Sequence, residues 1–382
     1  MPKKLPPIPD EKQLKLRKTL SAPGLLKIVR NEFQKIPDHR RGKVDYTLPD
    51  VLMSGLAMFA LKYPSLLQFD KARHEKTIKA NLKNLYGVKK SPCDTQMREV
   101  SDPVNPNDLR PAYISIHRQL QRQKILESYQ YLGGYIVSVD ATGQFSSNRV
   151  KCKDCCSKHL RNGEKQYYHQ LLGAAMVHPN KSNVLPFFPE AITRQDGMSK
   201  NDCERNASKR LLPAIREAFP QLKIIIVEDA LASNAPHIRL LEDLKYSYIL
   251  VAKPSDHDYM FKIIEESKAT DQVSKQETID SDGTIRRYNY INNIPLNASN
   301  PDLFVNFLEY WEEKDGKTIY HNTWITDIEL HQNNVSQVMR GGRARWKIEN
   351  ETFNTLKNQG YNLEHNYGHG KQHLSTDRKS VV

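Results

Sequence analysis

Leu222-Lys223-Ile224-Ile225-Ile226-Val227-Glu228-Asp229 is aliphatic almost without interruption and closes on two acids. Strict alternation of apolar and polar residues marks a strand with one wet face. A run with almost no alternation suits a central strand covered on both sides. A second run, Gly134-Tyr135-Ile136-Val137-Ser138-Val139-Asp140, has the same character and also ends in an aspartate. Two such strands indicate an α/β fold, a sheet flanked by helices. The carboxyl ends of strands are where open α/β sheets place their chemistry.

Further along, Arg345-Trp346-Lys347-Ile348-Glu349-Asn350-Glu351-Thr352-Phe353-Asn354-Thr355-Leu356-Lys357 reads as a helix at about 3.6 residues per turn. That spacing puts Trp346, Phe353 and Leu356 on one inward stripe with Glu349 in its middle, while Glu351 points to solvent. A carboxylate on an inward face is costly without a counter-charge or a metal. Asp140, Asp229 and Glu349 together are expected to form a carboxylate cage for hard divalent cations. Singly, each aspartate is as well explained as a cap or turn residue. Glu228 competes with Asp229 for the ligand role, and strand parity does not decide between them.

The chain has 382 residues, enough for two or three domains, and a formal net charge of +13. With a sequence pI near 9.3, this excess of cations points to a polyanionic partner, nucleic acid first. It argues against a polysaccharide or protein hydrolase built on paired acids, which would leave the charge unexplained. The start is rich in Lys and Pro with no apolar core behind it, so no secretory signal is read. The most hydrophobic segment, 51–61, falls far short of the ~20 residues that span a bilayer. Five cysteines in so long a chain do not form a disulfide framework. A cytoplasmic, nucleoid-associated protein is expected.

Residues 1–20 read as a loose basic arm, and 21–130 as an all-helical, DNA-binding domain. Leu25, Ile28, Val29, Phe33 and Ile36 keep helical spacing, and Pro49 stands at the first turn of an apolar helix. Short helices around Gly87-Val88-Lys89-Lys90-Ser91-Pro92 are candidates for a helix-turn-helix. The first part of the core spans 131–253: strands at 167–177 and 184–192, a helix opened by Ser199-Lys200-Asn201-Asp202, the Asp229 strand, a helix at 236–244 and a strand at 246–252. The order β-β-β-α-β-α-β is that of an RNase-H-like mixed sheet. Alternating runs in 254–338 read as a β-rich insertion. The Glu349 helix lies in 339–374, and 375–382 reads as a truncated or foreign tail.

In order and context, Val139-Asp140-Ala141-Thr142, Val227-Glu228-Asp229 and Trp346-Lys347-Ile348-Glu349-Asn350 resemble the three acids of a DDE transposase. The type is that of bacterial insertion sequences whose β-rich insertion precedes the glutamate helix. The resemblance covers about 130–374 and is general over the N-terminal lobe. It implies an RNase-H-like fold with Mg²⁺ (Mn²⁺ as substitute) held by Asp140, Asp229 and Glu349. It also implies cleavage of double-stranded DNA at terminal inverted repeats, strand transfer into target DNA, and a homodimer or higher oligomer on DNA. In such enzymes the glutamate helix often carries Tyr, Arg, Glu and Lys at set offsets. Here Arg345 fits the Arg position, but Gly342 stands at the Tyr position and Leu356 at the Lys position, with Lys357 one residue late.

Candidate DNA contacts are Arg345, Lys357, Lys253, His237 and Asn234. Arg345 is equally suited to pairing with Glu349, and Asn234 and His237 to an ordinary helix start. Trp346 is assigned to the core, and Tyr367-Gly368-His369-Gly370-Lys371 to a turn or a phosphate-hugging loop. Cys152-x-x-Cys155 suits one half of a zinc site, with His159, His169 or Cys203 completing it. No second C-x-x-C follows, so unligated cysteines are the favoured reading. Two other functions fit the sequence: a catalytically inactive, transposase-derived DNA-binding protein, and a metal-dependent nuclease that cuts without joining.

Overall fold

A computed structural model describes residues 11–197 and 200–374. Residues 1–10 of the expected arm, Ser199 at the head of the capped segment, the Cys203 side chain and the tail at 375–382 lie outside the described residues. In chain order the helices are Glu11–Leu20 (α1), Ala22–Phe33 (α2), Leu48–Ala60 (α3), Leu66–Ala72 (α4), Lys76–Asn84 (α5), Asp94–Ser101 (α6) and Arg110–Arg122 (α7). Then come strands Gln130–Tyr131 (β1), Gly134–Ser147 (β2), Cys156–His159 (β3), Lys165–Val177 (β4), Leu185–Pro186 (β5) and Glu190–Ile192 (β6). Lys200–Ala218 (α8), Ile224–Glu228 (β7), Ala235–Asp243 (α9), Ser247–Val251 (β8) and Asp258–Ala269 (α10) alternate. Ser274–Ile279 (β9), Ile285–Asn297 (β10), Asn300–Lys314 (β11) and Lys317–Thr326 (β12) follow, then Val335–Arg343 (α11) and Asn354–Asn358 (α12). Residues 11–20, expected to be loose, form α1 instead, because Glu11–Leu20 contains neither Pro nor Gly to interrupt a helix. Among the described residues no helix is long and apolar enough to cross a membrane.

The chain divides into two compact units that cut across linear boundaries. One comprises Met1–Ser128, Gly143–His169 and Thr355–Val382; the other comprises Tyr129–Thr142 and Gln170–Asn354. In the first unit, Ser21 and Thr47 cap α2 and α3 by accepting from the N–H of Gly24 and Asp50, each with a proline in the following turn. Phe33, Val51, Leu52, Phe59 and Phe69 fill its core. The C-terminal segment enters the same core: Tyr367 is buried and meets Phe59 edge-on, ring centroids 4.9 Å apart. The connector 85–93 between α5 and α6 is too long for the helix-turn-helix considered above, whose turn takes about 3–4 residues.

The second unit is built on a mixed sheet in the order β4-β2-β7-β8-β12-β11-β10-β9, with β5 and β6 also paired to β4. β2, β7 and β8 run parallel, in register at Ile136↔Ile225 and Val227↔Ile249. Every residue of β7 is buried, as its unbroken aliphatic pattern requires. The segment read as an insertion does not stand apart. β12 pairs antiparallel with β8, so β12 to β9 extend the central sheet.

Helix α11 lies against this sheet through Gly341 and Gly342. A Cβ at Gly342 would lie 2.9 Å from Cδ1 of the buried Trp324 indole, and one at Gly341 would lie 3.1 Å from Ile249 Cδ1. This accounts for glycine where the resemblance calls for tyrosine: no side chain fits between helix and indole. Gly342→Ala is expected to destabilise by about 1–3 kcal/mol through overpacking, read as a lower denaturant midpoint with an unchanged m-value.

Candidate active site

After α11 the chain does not continue as the uniform helix that a single period suggests. It turns at Ala344 and Arg345, and Ile348–Phe353 forms a π-helix in which Asn354 N–H donates to Glu349 O, five residues back. The inward pair is therefore Ile348 and Phe353, five apart, both buried. The Phe353 ring fills the space that a Cβ on Gly173 would take, 2.9 Å from its Cε1 and Cζ. The wider turn shifts the phase of what precedes it. Glu349 is exposed rather than inward, and Trp346 is 49% exposed rather than core.

Asp140 lies on β2, partly buried among apolar neighbours. Its Oδ1 accepts the Ala141 N–H at 2.8 Å, and its Oδ2 faces Arg345 Nη1 at 3.4 Å. Arg345 thus pairs with Asp140, not with Glu349. Its own position is fixed by the backbone, since Ser138 Oγ donates to the Arg345 carbonyl at 2.9 Å. Arg345 is 8% exposed; its guanidinium has a buried Nε with no hydrogen-bond acceptor and lies 4.3 Å from the Trp346 ring centroid. Burial pushes the Asp140 carboxyl up to about 6; Arg345 and the Ala141 N–H pull it down, and the charges of Asp229 and Glu349 push it further up.

Asp229 follows β7 and is exposed. Its Oδ1 accepts the Leu231 N–H at 3.0 Å, capping a short helical turn, so one oxygen is engaged and the other is not committed to that cap. Glu228, its competitor, is buried and receives His237 Nε2 at 2.6 Å. Burial opposes a charge on His237, but Glu228 outweighs it and raises the imidazole above its ordinary range. A cleft opens beside these groups, lined by Asp140, Asp229, Glu228, His237, Glu204 and Arg205 among others. Arg205, exposed on α8, was not singled out in the sequence, because a lysine- and arginine-bearing helix reads as an ordinary solvated face.

Asp140, Asp229 and Glu349 are electrostatic neighbours but form a looser set than a closed cage. Among the described residues, the set of Cys, His and acidic side chains with ligand atoms all within 4.8 Å of one another is Cys152, Cys155, His169 and His369. His159 is exposed and outside that set. Of the candidate DNA contacts, His237 is turned into its buried pair and Asn234 caps α9, accepting the His237 N–H at 3.1 Å. Lys253 is exposed after β8, and Lys357 pairs with Glu364 at 2.9 Å.

Since His237 is raised, its pair with Glu228 stabilises the fold fully below the unfolded imidazole value of about 6.5. The contribution is lost as pH climbs through the higher folded value. The stability gap between the native chain and His237→Gln should therefore be full below about pH 6.5 and narrow as pH rises above it in denaturant titrations.

No protein-family model matches the chain, and no curated protein does. Among solved structures it is similar to a piggyBac transposase in a synaptic complex with hairpin DNA. The TM-score is 0.39 at 9% identity, over 92% of this chain and 72% of that chain. A likeness that loose carries no argument. The chain is a mixed α/β protein with an acidic site beside its parallel strands.

Proposed function

We propose that the chain is a DDE-type transposase, a metal-dependent enzyme that cleaves DNA at element ends and joins those ends to a target. One observation carries this reading. Asp140 and Asp229, carried by adjacent parallel strands, line one cleft, and Glu349 from a third segment lies near enough for its charge to bear on Asp140. The +13 charge of the chain supplies the affinity for a polyanion. The order β6-β4-β2-β7-β8, with its last three strands parallel, supports an RNase-H-like core.

The donor set fits a hard cation. It is all oxygen, and a carboxyl held up to about 6 by burial and like charge gains from a positive partner. Asp140, Asp229 and Glu349 would hold Mg²⁺ or Mn²⁺, which when bound activates the attacking hydroxyl and neutralises charge at the phosphorus. Each aspartate uses one oxygen on a backbone N–H, which fixes the direction of the other. Arg345, held by Ser138 through its carbonyl, orients Asp140 and partly offsets the burial and like charge that raise its carboxyl. Arg205 and Lys253, both exposed, are the cations we assign to phosphate contact.

The Arg345–Asp140 pair also favours a second reading, a DNA-binding protein that no longer cuts, since it already answers the central carboxylate. Pre-cut element ends and target DNA incubated with Mg²⁺ or Mn²⁺ separate the cases. Joined products support the transposase. Nicks alone indicate a nuclease, and salt-sensitive binding without cutting indicates the inactive form.

A further inference from the structure

We propose that Cys152, Cys155, His169 and His369 hold a structural zinc ion that ties the 143–169 excursion to the C-terminal segment of the same unit. The four side chains offer two thiols and two imidazoles, a donor set that zinc takes in tetrahedral structural sites. Cys152 Sγ and Cys155 Sγ are 3.5 Å apart, and His169 Nε2 is 3.2 Å from each. With His369 included, one ligand atom from each residue lies within 4.8 Å of all the others. Bonds of about 2.3 Å to sulfur and about 2.0 Å to nitrogen place tetrahedral ligand atoms roughly 3.4–3.8 Å apart. The separations among Cys152, Cys155 and His169 need only a few tenths of an ångström of adjustment, and His369, within 4.8 Å of the others, needs a movement on the order of an ångström at most.

The backbone is shaped for the purpose. Cys155 N–H donates to the Cys152 carbonyl at 3.4 Å, closing a tight turn, and Cys152 N–H points at Cys155 Sγ at 3.2 Å. An N–H directed at a ligand sulfur stabilises it as thiolate. Cys155 is 3% and His169 6% exposed, and Cys152 and His369 are half-buried, so two of the four ligands are shielded from water. The His369 ring lies against His169 at 5.3 Å and edge-on to Phe145 at 4.8 Å, which fixes its plane.

His369 is delivered by a clamp far from it in sequence. Asp102, at the end of α6, accepts the N–H groups of Lys371, Gln372 and Leu374 at 2.8, 3.1 and 3.0 Å, and its carbonyl accepts that of His373 at 3.0 Å. A Cβ on Gly370 would collide with the Asp102 carboxylate, so only glycine lets the loop come this close. Two thiolates neutralise the ion's charge, and each thiol that ligates releases its proton to solvent. Cys156 takes no part; it pairs in register with Tyr168 on the β3–β4 hairpin.

The test uses the full chain purified without chelator and is independent of DNA cleavage. Elemental analysis should find about one zinc per chain, and Cys152→Ser or His369→Ala should bring it near zero, while His159→Ala and Cys93→Ser leave it unchanged. Should the ligand variants fail to fold, Co²⁺ exchanged into the native chain should show the visible bands of a tetrahedral site with thiolate ligands. Native protein without zinc, a Cys152–Cys155 disulfide in its place, or zinc retained in folded Cys152→Ser would each overturn the assignment.

Discussion

Asp140→Asn, Asp229→Asn and Glu349→Gln are each expected to lower DNA strand cleavage by about 10²–10³-fold or more, with DNA binding changed by no more than about threefold. The asymmetry follows from where the energy of each process resides. On the proposed function, binding would be carried by many cations spread over a chain of charge +13, and removing one acid would strengthen that attraction slightly if it changed it at all. Cleavage would depend on a few oxygens beside the parallel strands. Asn and Gln keep the shape of each side chain but give up its charge, so Asp229→Asn still caps the turn at Leu231 N–H. Gel-shift titrations and cleavage of end-labelled DNA, run on the same preparations, read the two effects apart. A variant that cuts at the native rate removes its residue from the site.

Glu228→Gln is expected to behave in the opposite way, losing about 3–5 kcal/mol of stability. Glu228 and His237 are both buried and meet at 2.6 Å, so neutralising the glutamate strands an imidazole held above its ordinary pKa by that partner. Denaturant unfolding near neutral pH should show the loss, and it should shrink at higher pH as His237 gives up its proton. The neighbouring acids are thus expected to separate cleanly: Asp229→Asn should spare the fold and stop cutting, whereas Glu228→Gln should attack the fold itself. A Glu228→Gln protein as stable as the native chain would show that the pair is not what holds this end of β7.

The strands of the core were legible because burial on both faces leaves an unmistakable mark. Ile224 to Val227 and Ile136 to Val139 admit hardly any polar residue. The helices of the N-terminal lobe were legible from caps and spacing, as at Thr47 and Pro49. The Glu349 segment was misread for a physical reason. A single period was carried through a turn at Ala344 and a π-helix at Ile348–Phe353, and an i→i+5 turn leaves no composition signal of its own. Hence Trp346 and Glu349 were assigned inward and are exposed. Pairings set by tertiary contact were equally hidden: Arg345 with Asp140, Glu228 with His237, and β12 alongside β8. His369 could not be joined to Cys152 from spacing alone, because Asp102 delivers it.

The central claim, that three acids distant in sequence grip divalent cations to cut DNA, is tested most directly by locating Mn²⁺ through its anomalous scattering in crystals of the DNA-bound protein. Manganese is expected on carboxylate oxygens of Asp140 and Asp229, with Glu349 turned in to complete the site. Manganese bound elsewhere, or none between Asp140 and Asp229 with DNA in place, would contradict it.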